Sequence, residues 1–205
     1  YFPNSTVLGE KKDEVASPSA AYVGSFVGRY IASGRAVIFP IYKGTFGRGS
    51  APPLRVSAAR RDWIIQLSKD LARSIDYLET RTDIQIDKLA YAGDSLGGRL
   101  GALLPAVEPR LKVSVLINGG FRERQFAEVD EFNFAPRITI PTLMLNGRYD
   151  FTFPVEASQL PMYRALGTPA EHKRHVVYDT GHDVPSNQIS AEITAWLDRY
   201  LGPVK

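Results

Sequence analysis

A serine hydroxyl becomes a useful nucleophile only beside a base that can take its proton. Residues 93–98 read Gly-Asp-Ser-Leu-Gly-Gly, a G-x-S-x-G pattern centred on Ser95. It falls between the apolar run KLAYA (88–92) and leucines at helical spacing. A strand–turn–helix elbow of this kind pushes the serine hydroxyl out over the edge of a sheet. Gly93 and Gly97 let the turn close, and Gly98 lets a neighbouring element approach. At the helix N-terminus, backbone N–H groups favour developing negative charge.

The base has three candidates, His172, His175 and His182. The first two belong to the KRHVVY segment (173–178) or its start, where packing explains a histidine. His182 sits in YDTGHD, just after that segment and before the last helical pattern, so its loop points toward the sheet edge of Ser95. The third member must be a carboxylate that holds the imidazole tautomer. Asp150, in NGRYDFTFP after the run TLML (142–145), lies at the strand end between the other two. Ser, Asp, His is also the chain order used by elbow hydrolases. Asp94 is too close to the nucleophile, Asp179 and Asp183 flank the base, and Glu123 is the more serious rival. For an oxyanion, the N–H of Leu96 supplies one donor, and the loop Asn4-Ser5-Thr6 the other, with Ser5 preferred to Asn4. Tyr42, Phe121, Tyr149 and Phe151 lie on strand-end loops, where each is either pocket lining or packing.

The elements that must gather these side chains alternate short apolar runs with amphipathic segments, as in a parallel sheet covered on both faces. Strands are expected at 35–40 (RAVIFP), 88–92, 112–117, 142–145 and 173–178. Helices are expected at about 19–32, 58–80, just after Ser95, near 155–166 and at about 186–201. Loops 41–55 and 121–140 exceed ordinary connectors and would wall a crevice at the carboxyl ends of the strands.

Composition narrows the classes further. At 205 residues, one domain spanning 1–205 is the natural expectation. With 44% hydrophobic and 23% charged residues the chain is not a disordered one. The absence of cysteine excludes disulfides, thiolate metal sites and cysteine nucleophiles. The net charge of +3 is scattered among acids, unlike the basic face of a nucleic-acid binder. No apolar run is long enough to span a bilayer. Composition does not choose a compartment.

The motifs GDSLGG, PTLMLNGRYDFTFP and YDTGHDVP, in that order, resemble the α/β-hydrolase superfamily, particularly its dienelactone-hydrolase and prolyl-oligopeptidase-like branch. The resemblance covers nearly the whole chain. It extends to hydrolase modules at the C-terminus of larger bacterial multidomain proteins, which share a YFPGS-like start and an IYKGT-like loop. It implies a three-layer α/β/α sandwich around a mostly parallel sheet. Ser95, Asp150 and His182 take the triad roles and Leu96 and Ser5 the oxyanion positions. The implied activity is cleavage of a small-molecule carboxylic ester through an acyl-enzyme, with no metal and no cofactor. A peptidase and a non-catalytic binding module on the same fold are the alternatives. The sequence departs from the family by opening at the end of what would be the third strand, and by Asn4 where glycine is common. It is therefore expected to be a fragment or processed module whose open sheet edge invites a homodimer.

Overall fold

The computed structural model describes residues 1–8, 23–52 and 55–204. The expected start of the first helix, Ser19–Tyr22, and Pro53 and Leu54 of the long loop lie outside them.

Four strands, β1 (Ala90–Asp94), β2 (Val113–Ile117), β3 (Thr142–Gly147) and β4 (Lys173–Tyr178), form a parallel sheet in the order β1-β2-β3-β4. Each pairs in register with the next, Asp94 with Ile117, Ile117 with Leu145 and Gly147 with Tyr178. All the strands therefore end at one rim. The alternation of side chains divides the core. Val113, Val115, Ile117, Leu143 and Leu145 face one side, and Leu116 and Met144 the other.

Helices α1 (Gly28–Ala32), α2 (Ala58–Glu79), α3 (Leu96–Leu100), α4 (Leu104–Val107), α5 (Glu131–Phe134), α6 (Leu160–Ala165) and α7 (Ser186–Leu201) complete the described order. Ser57 caps α2 by accepting a hydrogen bond from the Arg60 N–H, which satisfies one orphan donor of the first turn. The α2 stripe Ile64, Leu67, Leu71 and Ile75 is buried in the cluster holding Leu116 and Met144. The α7 stripe Ile189, Ile193, Trp196 and Leu197 is buried in the cluster holding Val113 and Leu143, together with Tyr30 of α1. Each such side chain contributes about 1.5–3 kcal/mol when fully withdrawn from water. The result is the expected three-layer α/β/α arrangement.

Two expectations change. The segment 35–40 forms no strand, and the Ile38 carbonyl instead accepts a hydrogen bond from the Tyr1 amino group. The residue that does add to the sheet is Phe2, which bridges Gly93 in parallel. Its N–H donates to the Ala92 carbonyl at 2.7 Å, and its carbonyl accepts from the Asp94 N–H at 3.1 Å. An apolar residue of the expected first helix, Ile31, is instead 55% exposed.

Candidate active site

The elbow is dictated by backbone contact. A Cβ on Gly93 would lie 2.4 Å from the Gly97 carbonyl oxygen, and one on Gly98 the same distance from that of Ile117. A Cβ on Gly97 would meet the Phe2 carbonyl oxygen at 2.3 Å. Only glycine permits this crossing of β1, α3 and the Tyr1–Phe2 stub. Ser95 itself sits at φ +50°, ψ −100°, a region that costs a non-glycine residue about 1–3 kcal/mol. The surroundings hold it there: its N–H donates to the Ile117 carbonyl at 2.9 Å, and its carbonyl accepts from the Arg99 N–H at 2.8 Å.

His182 reaches both partners. Its Nε2 lies 2.9 Å from Ser95 Oγ and its Nδ1 2.8 Å from Asp150 Oδ2. Because a carboxylate only accepts, Nδ1 carries the proton, and Nε2 is left to accept from the hydroxyl. Asp150 Oδ1 accepts from the N–H groups of Thr152 at 2.8 Å and Phe153 at 3.0 Å, which fixes a carboxyl side chain with no exposure. The Gln159 carboxamide ties this loop down by donating to the carbonyls of Gly147 and Phe153. The histidine loop is anchored to the same strand end: the Arg148 and Tyr149 N–H groups donate to the carbonyls of Tyr178 and Thr180. A Cβ on Gly147 would strike the Gly181 oxygen at 1.8 Å. The hydrogen bond that His182 donates to Asp150 raises the His182 pKa above its ordinary value, with partial burial opposing.

Three of the rival carboxylates are engaged elsewhere. Glu123 pairs with Arg99 and Arg122. Asp179 pairs with Arg148 at 2.6 Å. Asp94 accepts from the carboxamides of Asn118 and Asn4. Of the other histidines, His172 bonds the Tyr200 hydroxyl, and burial holds the His175 pKa down at about 4. Leu96 opens α3 directly after Ser95, and Ser5 opens a 3₁₀ turn (Ser5–Val7) on the loop after Phe2.

The aromatic residues separate. Tyr42 is fully buried with its ring 4.2 Å from that of Phe2, so it packs in the core. Phe121 is likewise buried, stacked at 3.8 Å on Phe132. Tyr149 and Phe151, either side of Asp150, are 66% and 88% exposed. Sequence reasoning missed Asn118, which adopts φ +52° at the end of β2 and sends its carboxamide to Asp94 at 2.9 Å. An Asn-Gly-Gly immediately after an apolar strand was its only signal.

No family model matches the chain. It is 24% identical over 143 residues to the cutinase est2 of Thermobifida alba, covering 65% of this chain and 45% of that protein. It is 33% identical over 103 residues to the 20-hydroxy-prefusarin hydrolase of Gibberella moniliformis, covering 49% of this chain and 22% of that one. The chain thus spans less than half the length of either curated relative. Among solved structures, acetyl xylan esterase 1 of Thermoanaerobacterium sp. JW/SL YS485 superposes with a TM-score of 0.68 over 97% of this chain and 73% of its own, at 17% identity. This chain has the α/β-hydrolase fold. Within that fold, the observed rim of strand ends is where ligands of open parallel sheets bind. Among the described residues, no α/β-hydrolase helix here is long and apolar enough to cross a membrane.

Proposed function

We propose that this chain is a serine hydrolase that cleaves a small carboxylic ester through an acyl-enzyme. The observation that carries the reading is the unbroken relay from Ser95 Oγ through His182 to Asp150, at 2.9 and 2.8 Å. Ser95 Oγ attacks the ester carbonyl carbon while His182 Nε2 takes its proton. Asp150 holds the ring and stabilises the imidazolium, and the Leu96 and Ser5 N–H groups receive the oxyanion. The imidazolium then protonates the departing alkoxide, which leaves as the alcohol. A water molecule, deprotonated by the same nitrogen, attacks the acyl carbon and releases the acid and free Ser95. The names of the relatives, a cutinase and an acetyl xylan esterase, favour an ester over an amide. The exposed rings of Tyr149 and Phe151 beside Asp150 offer an apolar surface to the acyl or alcohol group.

A fluorophosphonate probe and a panel of p-nitrophenyl esters of increasing chain length, run beside a short peptide anilide, test this. Labelling at Ser95 with turnover of the esters alone is expected. Comparable turnover of the anilide would replace the ester reading with a peptidase. An unlabelled, inactive protein would leave a binding module.

A further inference from the structure

The mechanism above makes no use of Asp94, a carboxylate only 2% exposed and next in sequence to the nucleophile. Its Oδ1 accepts from Asn118 Nδ2 at 2.9 Å and its Oδ2 from Asn4 Nδ2 at 3.4 Å. With its Nδ2 claimed by Asp94, the Asn4 amide must turn its oxygen the other way. That oxygen accepts from the Thr6 N–H at 3.2 Å and the Thr6 hydroxyl at 2.6 Å, closing the cap of the turn Ser5–Val7. Ser5 is the first residue of that turn, and the leading N–H groups of a helical turn have no partner within it. The carboxylate, the amide and the turn thus form one chain of acceptor and donor choices. It begins beside Ser95 and ends at the residue whose N–H the mechanism assigns to the oxyanion.

We propose that Asp94 is a positioning residue for ester hydrolysis, its negative charge setting the Asn4 amide and, through it, the Ser5 N–H of the oxyanion site. The proposal rests on the hydrolase reading. Only a carboxylate offers an acceptor to both carboxamides. An amide at this position accepts from one of them and presents N–H to the other. Where that N–H faces Asn4, the Asn4 amide must rotate and turn its own N–H toward that of Thr6, which undoes the cap. Keeping the charge has a cost. Burial pushes the Asp94 pKa up to about 6, opposed by the Asn118 hydrogen bond. The other groups facing it are His182 and Asp183 from the loop after β4, and Arg29 and Tyr30 from α1. A folded-state value above the unfolded one means that this group favours the fold below the unfolded pKa and ceases to do so as pH rises through about 6. A buried carboxylate retained only for stability would have the opposite sign.

Asp94→Asn and Asn4→Ala, measured with a p-nitrophenyl ester between pH 5 and 9, test the proposal. Each is expected to lower kcat by about 10- to 100-fold, with KM changed less than about threefold. The double variant should be no worse than the poorer single one, because both break the same tie. At pH 8 the thermal midpoint of Asp94→Asn should not fall. As pH falls below about 6, the wild-type kcat/KM should lose about 10- to 100-fold beyond the slope of one that His182 imposes, whereas Asp94→Asn should follow that slope alone. If Asp94→Asn does not fold, Asn4→Ala carries the same kcat expectation and decides alone. Variants within twofold of an active wild type, or a wild-type acid limb that parallels that of Asp94→Asn, would overturn the tie while sparing the hydrolase reading. A wild type that turns over no ester would remove both.

Discussion

Two regions of the molecule adjoin β1 a few residues apart, and they are built in opposite ways. At its carboxyl end, Ser95, His182 and Asp150 converge, with both imidazole nitrogens and both Asp150 oxygens bonded. Beside Ala90 and Ala92 of the same strand lies a cleft of about 910 Å³, lined also by Ile38, Leu197, Leu201 and Val204. Two ion pairs stand beside it, Arg35 with Asp198 and Arg81 with Asp83. Size and polar convergence usually coincide in a ligand site. Here they separate, and the proposed chemistry follows convergence. The cleft offers volume without a single group from the relay.

The contrast breaks most sharply at Ser95. Replacing it with Ala should lower kcat by about 10⁶-fold, since the members of a triad act as a unit. The thermal midpoint should barely move, because Ala occupies the same strained backbone and loses one hydrogen bond. Steady-state kinetics with an active-site titration would show this, and turnover within tenfold of wild type would return attention to the cleft. Asp150→Asn follows, with an expected loss of about 10⁴-fold from the wrong imidazole tautomer. It also has a signature in pH. The base works only when neutral, so kcat/KM falls as pH drops through the His182 pKa, which the Asp150 hydrogen bond holds up. Removing that carboxylate should move the residual acid limb to lower pH, and an unmoved limb would mean that Asp150 does not act on the histidine.

A third substitution tests whether the rim is rigid. The Cβ of Gly97→Ala would meet the Phe2 carbonyl at 2.3 Å, and since both sides are backbone, the stub carrying Asn4 and Ser5 must shift. A displacement near 1 Å costs about 10²-fold in rate, without loss of the triad itself. Retained fluorophosphonate labelling with slowed ester turnover is the expected pair of results.

The same contrast explains what could be read from residue order alone. The rim was legible because parallel strands end together, so a residue just past an apolar run has one place to go. Ser95, Asp150 and His182 each follow such a run. Helices α2 and α7 were equally visible, through the 3.6-residue apolar stripe. The segment 35–40 was not. An apolar run reads the same whether or not a partner strand lies beside it, and Tyr1–Phe2 takes the place next to β1. Tyr42, read from sequence as either pocket lining or packing, is buried because residues 41–52 fold back on themselves. Gly44, Phe46, Gly47 and Gly49 all take positive φ, and Arg48 pairs with Asp70 of α2. The Trp63 indole N–H donates to the Lys43 carbonyl and closes the loop over the ring. The tie from Asp94 to Asn4 joins residues far apart in the chain through side-chain amides, which no periodicity records.

The smallest effect belongs to the cleft. Leu201, at the end of α7, is half-buried against the cluster that holds Trp196 and lines the cavity. Truncation to Ala removes apolar contact on one side only, so a cost of about 1–2 kcal/mol is expected, below that of a fully enclosed leucine. In a chain of this size that lowers the thermal midpoint by roughly 2–4 °C per kcal/mol. Leu201 supplies no group to the relay, so kcat and KM for a small ester should stay within twofold. Calorimetry beside ester kinetics separates the two readouts. A fall in kcat above tenfold with only this modest loss of stability would show the cleft coupled to the rim through β1, and the division drawn between the two regions would have to be abandoned.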